Sequence, residues 1–247
     1  MTSSAWKGFV AARRQFQDLT QSLAEQVSGL ADCQQALVDS RRDGGYPVET
    51  PVVYNASLDD VQRDSAIRLI LVADNPGRRE QAATTRRYLV GPSGKLAEKF
   101  FSSQSQLGIA FPSQALILNK TPIHTPRTGD LRELIRLGGD AVRQAVEESQ
   151  RKMAALLIDF HRALAPVKVW ISGYGEMKQG GIFAAYTECL RDSYLHEKKL
   201  KEDVRLYRHF SMNQFTIDLN RQALESESLE ESLDRIGRAY RAKFLGW

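Results

Sequence analysis

An apolar run, Ile67-Arg68-Leu69-Ile70-Leu71-Val72-Ala73, stops abruptly at Asp74-Asn75-Pro76-Gly77. A short apolar run closed by Pro and Gly reads as a buried strand. A buried strand that ends in a polar, kinked loop is how parallel α/β sheets present residues to a ligand. The same pattern returns at Ala115-Leu116-Ile117-Leu118, at Val167-Lys168-Val169-Trp170-Ile171-Ser172 and at Val204–Phe210. Between these runs lie helical patterns: Lys95–Phe101, Leu131–Leu164 with a break at Gly138-Gly139, and Gly181–Leu190. Strands separated by helical crossovers predict a parallel sheet with helices on both faces, joined by right-handed connections.

The expected fold class is therefore α/β: three layers, α/β/α, around a central four-stranded parallel sheet, with extra helices at both termini. Residues 3 to 39 lack Pro and read as helix. A break at Asp43-Gly44-Gly45-Tyr46-Pro47 separates this N-terminal helical extension (1–50) from the core domain (51–220). A last amphipathic helix is expected over 222–243, with Leu224, Leu229, Leu233, Ile236 and Tyr240 on one face, and 221–247 docks on the core.

Composition excludes several classes. At 247 residues, 42% hydrophobic and 26% charged, the chain is long enough for one substantial core and reads as an ordinary globular protein. No apolar stretch approaches the roughly 18 residues that span a bilayer, so no membrane association is expected. Cys33 and Cys189 cannot build a four-cysteine metal or cluster site, and with no secretory signal they are expected to be reduced, in a cytoplasmic protein. No Walker-type loop, no complete dinucleotide fingerprint at Gly173-Tyr174-Gly175, no nucleophile elbow and no zinc-ligand spacing occur, so neither cofactor nor metal is expected. The net charge of +4 suits a polyanionic partner.

In a parallel sheet all strand ends point one way. Asp74-Asn75, Asn119, Ser172-Gly173-Tyr174 and His209-Phe210-Ser211 would then surround one crevice: a carboxylate, amides, hydroxyls and an imidazole from distant segments. Each has a plainer reading. Asn75-Pro76-Gly77 is a good turn, Asp74 a good cap, Asn119 a backbone binder, and a single histidine at a strand end is commonly structural. His124, in the Pro-rich loop after Asn119, is open between nucleic-acid contact and a loop role; His161 and His196, in charged helical surroundings, are expected to be solvated. Arg78, Arg79, Arg86, Arg87, Lys95 and Lys99 flank the crevice in sequence, either for phosphates or as a solvated face.

In this order the segments resemble the uracil-DNA glycosylase superfamily. Its members carry Gly-x-x-Pro-Gly or Gly-x-Asn-Pro after the first strand; here stands Ala73-Asp74-Asn75-Pro76-Gly77. Cluster-containing members continue with an Arg and acidic residues and then Phe-Val-Gly-x-Ala/Ser-Gly-x-Leu; here stand Arg78-Arg79-Glu80 and Leu89-Val90-Gly91-Pro92-Ser93-Gly94-Lys95-Leu96. A strand ending in a base-reading Asn before a Pro-rich loop matches Ile117-Leu118-Asn119-Lys120-Thr121-Pro122, and the final His-Pro-Ser motif matches His209-Phe210-Ser211-Met212-Asn213. The resemblance covers about residues 67–215. Ala73, Leu89 and Phe210 depart from it, and the iron–sulfur cysteines are absent.

What the resemblance implies is hydrolysis of the N-glycosidic bond of uracil or a related damaged base in DNA. Such a reaction builds positive charge on the sugar and negative charge on the departing base. Asp74 or Asn75 would position water or oppose the cation, and His209 would donate to the base carbonyl. Asn119 would read the base edge, within a base pocket shared with Tyr88, Leu89, Pro76 and Gly77. Arg78, Arg79, Ser93, Gly94, Lys95, Ser211, Met212 and Asn213 would contact DNA. Met212 or Phe215 would fill the gap left by the flipped base. The rival expectation is a module of the same fold that binds a nucleobase, nucleotide or modified nucleic acid without cleaving it. A third is a protein-interaction role for the terminal helices.

Overall fold

A computed structural model describes residues 1–42 and 44–247; Asp43, in the expected interdomain break, lies outside the described residues. Four strands form one all-parallel sheet: β1 (Leu69–Ala73), β2 (Ala115–Asn119), β3 (Lys168–Ser172) and β4 (Val204–Tyr207), in the order β2-β1-β3-β4. Register is continuous, with Leu69 to Ala73 beside Ala115 to Asn119, and Ile70 to Val72 beside Val169 to Ile171. All five residues of β1 are buried, as a strand covered on both faces requires.

Helices α1 (Ser3–Gln26), α2 (Leu30–Asp39), α3 (Pro92–Ser103), α4 (Asp130–Leu164), α5 (Ala184–Ser193), α6 (Lys198–Lys201), α7 (Gln214–Gln222) and α8 (Leu229–Leu245) complete the three layers. Phe9 and Phe16 of α1 are buried, and Phe9 meets Phe160 of α4. The expected break in the long helix is real: Gly139 stands at φ 64, ψ −150 inside α4. Among the described residues no helix is long and apolar enough to cross a membrane.

Three boundaries differ from the sequence reading. The expected first helix is two helices, because Gly29 at φ 77 breaks it and caps α2. The expected last helix is also two. Ala223 turns extended after α7, and Ser228 starts α8 anew through a capping box with Glu231. The fourth strand ends at Tyr207, three residues early, so His209 and Phe210 belong to the loop that follows. Phe210 there stacks on Phe215 at 4.3 Å within a cluster that includes Phe100 and Phe101. This explains an aromatic residue where the resembling motif has proline.

The strand order sets the site. From β1 the chain moves to β2 at one edge, and from β3 it moves to β4 at the other. Adjacent central strands whose continuations diverge leave a crevice at their carboxyl ends. Two glycines behind it permit close approaches of the loops. Gly173 follows β3 at φ +81, and a Cβ there would stand 2.5 Å from the Asp74 Oδ1 atom. Gly94, in the first turn of α3, lies so close to the Leu89 carbonyl that a Cβ would overlap it.

Candidate active-site crevice

The loops after β1, β2 and β4, together with the segment at Arg41, Gly44 and Tyr46, enclose a crevice of about 570 Å³. Asp74, Asn75, Gly77, Leu89, Ser93, Thr128, His209, Ser211 and Met212 line it, with Arg78 and Arg79 at its mouth. Asp74, Asn75, His209 and Ser211 thus meet as the strand pattern predicts, whereas Ser172, Gly173 and Tyr174 after β3 lie outside the lining, with Tyr174 packed on Tyr240 and Phe244.

Asp74 sits at the floor. Its Oδ1 accepts from the Lys120 ammonium at 2.6 Å and its Oδ2 from the Thr128 hydroxyl at 3.0 Å. Burial pushes the Asp74 carboxyl up, but Lys120, His209 and the Thr128 hydroxyl together hold it below its ordinary value. Lys120 has 0% exposure. Its ammonium also donates to the Ser172 carbonyl at 2.5 Å, tying the end of β3 to the end of β1. Burial pulls the lysine down, opposed by Asp74. An ion pair this deep persists only because each partner compensates the other's lost hydration. Lys120 was not singled out as a site residue from sequence.

Asn75 lines the crevice, yet its amide donates to the Thr125 hydroxyl at 2.9 Å and is committed to the Pro-rich loop. Of the two adjacent candidates, Asp74 therefore presents the charged group. His209 is partly exposed, and its Nδ1 accepts from the Ser211 backbone N–H at 3.1 Å. That bond leaves the proton of the neutral ring on Nε2. Desolvation lowers the His209 pKa, with Asp74 opposing and Lys120 assisting, so at neutral pH the residue is a neutral Nε2–H donor.

Backbone strain concentrates at the same rim. Leu89 (φ 57), Met212 (φ 52) and Asn213 (φ 57) are left-handed non-glycine residues. Such conformations cost energy and cluster at functional sites. The turn lifts the Met212 side chain to 82% exposure beside the crevice.

Other expected residues lie elsewhere. Tyr88 is a core residue: it is 1% exposed, its ring meets Phe16 and its hydroxyl donates to the Val53 carbonyl at 2.5 Å. Phe215 is buried in the aromatic cluster, which leaves Met212 as the exposed apolar side chain. Pro76 is buried, and its carbonyl accepts from the His124 ring at 2.8 Å. His124 is itself buried, so it does not reach a ligand. His161 is buried rather than solvated, its Nδ1 2.7 Å from the Tyr194 hydroxyl, because α4 packs on α5 there; His196 is exposed, as expected. Gly94 is a buried packing contact, and Lys95 is exposed on α3 outside the crevice lining. Arg87 pairs with Asp60 at 2.6 Å, away from the lining.

Asn119 occupies an unusual place. It is 1% exposed and does not line the crevice, yet among the described residues neither its Oδ1 nor its Nδ2 has a hydrogen-bond partner. Register sets it beside Ala73, a crevice residue, on the same sheet face. A buried amide with both ends open is costly unless something satisfies it.

Glu80 is a second crevice carboxyl, absent from the sequence-derived site. Its Oε2 accepts from the Gly77 N–H at 3.2 Å, and the backbone at Leu89, Val90 and Gly91 also donates to it. It clips the Asn-Pro-Gly loop to the Leu-Val-Gly loop. Burial outweighs these donors and pushes its pKa from 4.5 up to about 7. A raised folded-state carboxyl adds stability below its unfolded pKa and loses it as pH rises through the folded one. The stability of wild type relative to Glu80→Gln should therefore fall by about 3 kcal/mol between about pH 4.5 and 8. Denaturant unfolding of both proteins across that range measures it, and a constant difference would count against a buried, titrating Glu80.

The sequence matches no protein-family model, and no curated protein matches it.

Proposed function

We propose that the chain is a divergent DNA glycosylase of the uracil-DNA glycosylase superfamily. It hydrolyses the N-glycosidic bond of uracil or a related damaged base in DNA. The observation that carries this reading is the meeting of Asp74 and a neutral His209 in one crevice with a basic mouth.

Water adds to the sugar C1′, the C1′–N bond breaks, and the base departs with the bonding electron pair. The Asp74 carboxylate opposes the positive charge that develops on the sugar. Because its pKa is held down, it is a poor proton acceptor, and its contribution is electrostatic and orienting rather than that of a strong base. The His209 Nε2–H donates to the carbonyl on which the leaving base gathers charge. The departing base takes up a proton and the added water gives one up, so charge balances over the cycle. Asn119, buried beside Ala73 and outside the crevice lining, does not meet the base directly. Arg78 and Arg79 meet the flanking phosphates, and Met212 occupies the vacated stack.

A second reading rests on Ala73, Leu89 and Phe210, which depart from the resembling motifs: a crevice that binds a base without cleaving it. Single- and double-stranded oligonucleotides containing uracil, incubated with excess protein, decide between the two. Chromatographic detection of free uracil supports hydrolysis. Retarded DNA on a native gel with no uracil released supports binding alone.

A further inference from the structure

We infer that Tyr46, stacked with Arg78, is the flat wall against which a base entering the crevice lies. This rests on the nucleobase reading of the site and adds the element that recognises a planar ring. Tyr46 is the one Phe, Tyr or Trp among the described residues lining the crevice. The Leu-Val-Gly loop brings Leu89 rather than an aromatic ring, and Tyr88 is turned into the core.

Gln35, His124 and Arg78 hold Tyr46 in place. The Gln35 amide donates to its carbonyl at 3.1 Å and accepts from the Val48 N–H at 2.9 Å. The phenol hydroxyl lies 3.0 Å from His124 Nε2. The other ring nitrogen of His124 faces the Pro76 carbonyl at 2.8 Å, so it carries the proton and the tyrosine donates to Nε2. The Arg78 guanidinium lies 4.7 Å from the ring centroid. Gln81 fixes the adjoining backbone, accepting from the Glu49 N–H at 2.7 Å and donating to the Pro47 carbonyl at 3.1 Å. An aromatic ring and a guanidinium plane are the two protein surfaces on which unstacked bases rest, and a ring locked in advance spends little entropy on binding. The N-terminal segment is thus a wall of the site, not an appendage. Arg41 and Gly44 join Tyr46 in the lining, and Gln34 ties α2 to the His124 carbonyl at 2.7 Å.

The test is binding of a duplex bearing one 2′-fluoro-2′-deoxyuridine, whose fluorine suppresses cleavage, against the same duplex with thymidine. Fluorescence anisotropy is read for wild type, Tyr46→Phe and Tyr46→Leu, each checked for folding by circular dichroism. Wild type should prefer the uridine duplex. Tyr46→Leu should weaken that binding about 5- to 100-fold, the scale of one lost base stack. Tyr46→Phe, which keeps the ring, should change it less than about threefold. Unchanged binding by Tyr46→Leu, or equal losses in both variants, would overturn the stacking wall while the nucleobase reading stands. No preference in wild type would remove that reading, and the wall with it.

Discussion

A Lys120→Met variant is expected to lose about 3–5 kcal/mol of stability, the cost of leaving one buried charge without its partner. Its activity profile should also move along the pH axis. Lys120 lies 2.6 Å from Asp74 and is fully buried. With the ammonium gone, burial is opposed by His209 and the Thr128 hydroxyl without Lys120, and the carboxyl pKa rises. The acid limb of the excision profile should therefore shift to higher pH, so that activity at about pH 6 falls more than activity at about pH 8. Lys120 touches no reacting atom in this account; it is a positioning residue. A role confined to holding the strands together would lower Tm and leave the profile in place. An unchanged profile in the folded variant would contradict the assignment.

Asp74→Asn should cost more in rate. It removes the negative charge opposite the sugar while keeping the shape. Loss of a preorganised electrostatic group costs about 10²- to 10³-fold in kcat. It also strands Lys120, so stability should fall by about 3–5 kcal/mol as in the lysine variant. The double variant Asp74→Asn, Lys120→Met separates the two effects. With both charges removed, stability should return close to wild type, because a neutral buried pair carries no uncompensated charge. Activity should stay as low as in Asp74→Asn. Recovery of activity along with stability would show that the carboxylate serves folding alone.

The sheet was legible because its strands are short apolar runs bounded by turn residues, and β1 and β2 surface almost where the pattern sets them. Part of the crevice was legible for the same reason: parallel strands end together, so Asp74 and His209 were bound to share one side, although Asn119 and the Ser172-Gly173-Tyr174 segment stay outside its lining. Lys120 was not. It directly follows Asn119, and a lysine at a strand end reads as solvated because lysines are almost never fully buried. Only the carboxylate across the sheet, 46 residues away, makes its burial affordable. Tyr46 was hidden differently. It follows a Gly-Gly break that separates segments in sequence, and its place depends on Gln35, Arg78 and His124, none adjacent to it. Tyr88 misled in the opposite sense. Its position in the chain suggested a base contact, but the left-handed turn at Leu89 directs the neighbouring ring into the core.

The central claim is that this crevice breaks a glycosidic bond with a neutral His209 as donor. It is tested most directly on an end-labelled oligonucleotide with a single uracil, incubated with wild type or with His209→Ala and then treated with alkali. Breakage at the uracil with wild type, slowed about 10²- to 10³-fold in His209→Ala, is the predicted result. Breakage by neither protein, or equal breakage by both, would contradict it.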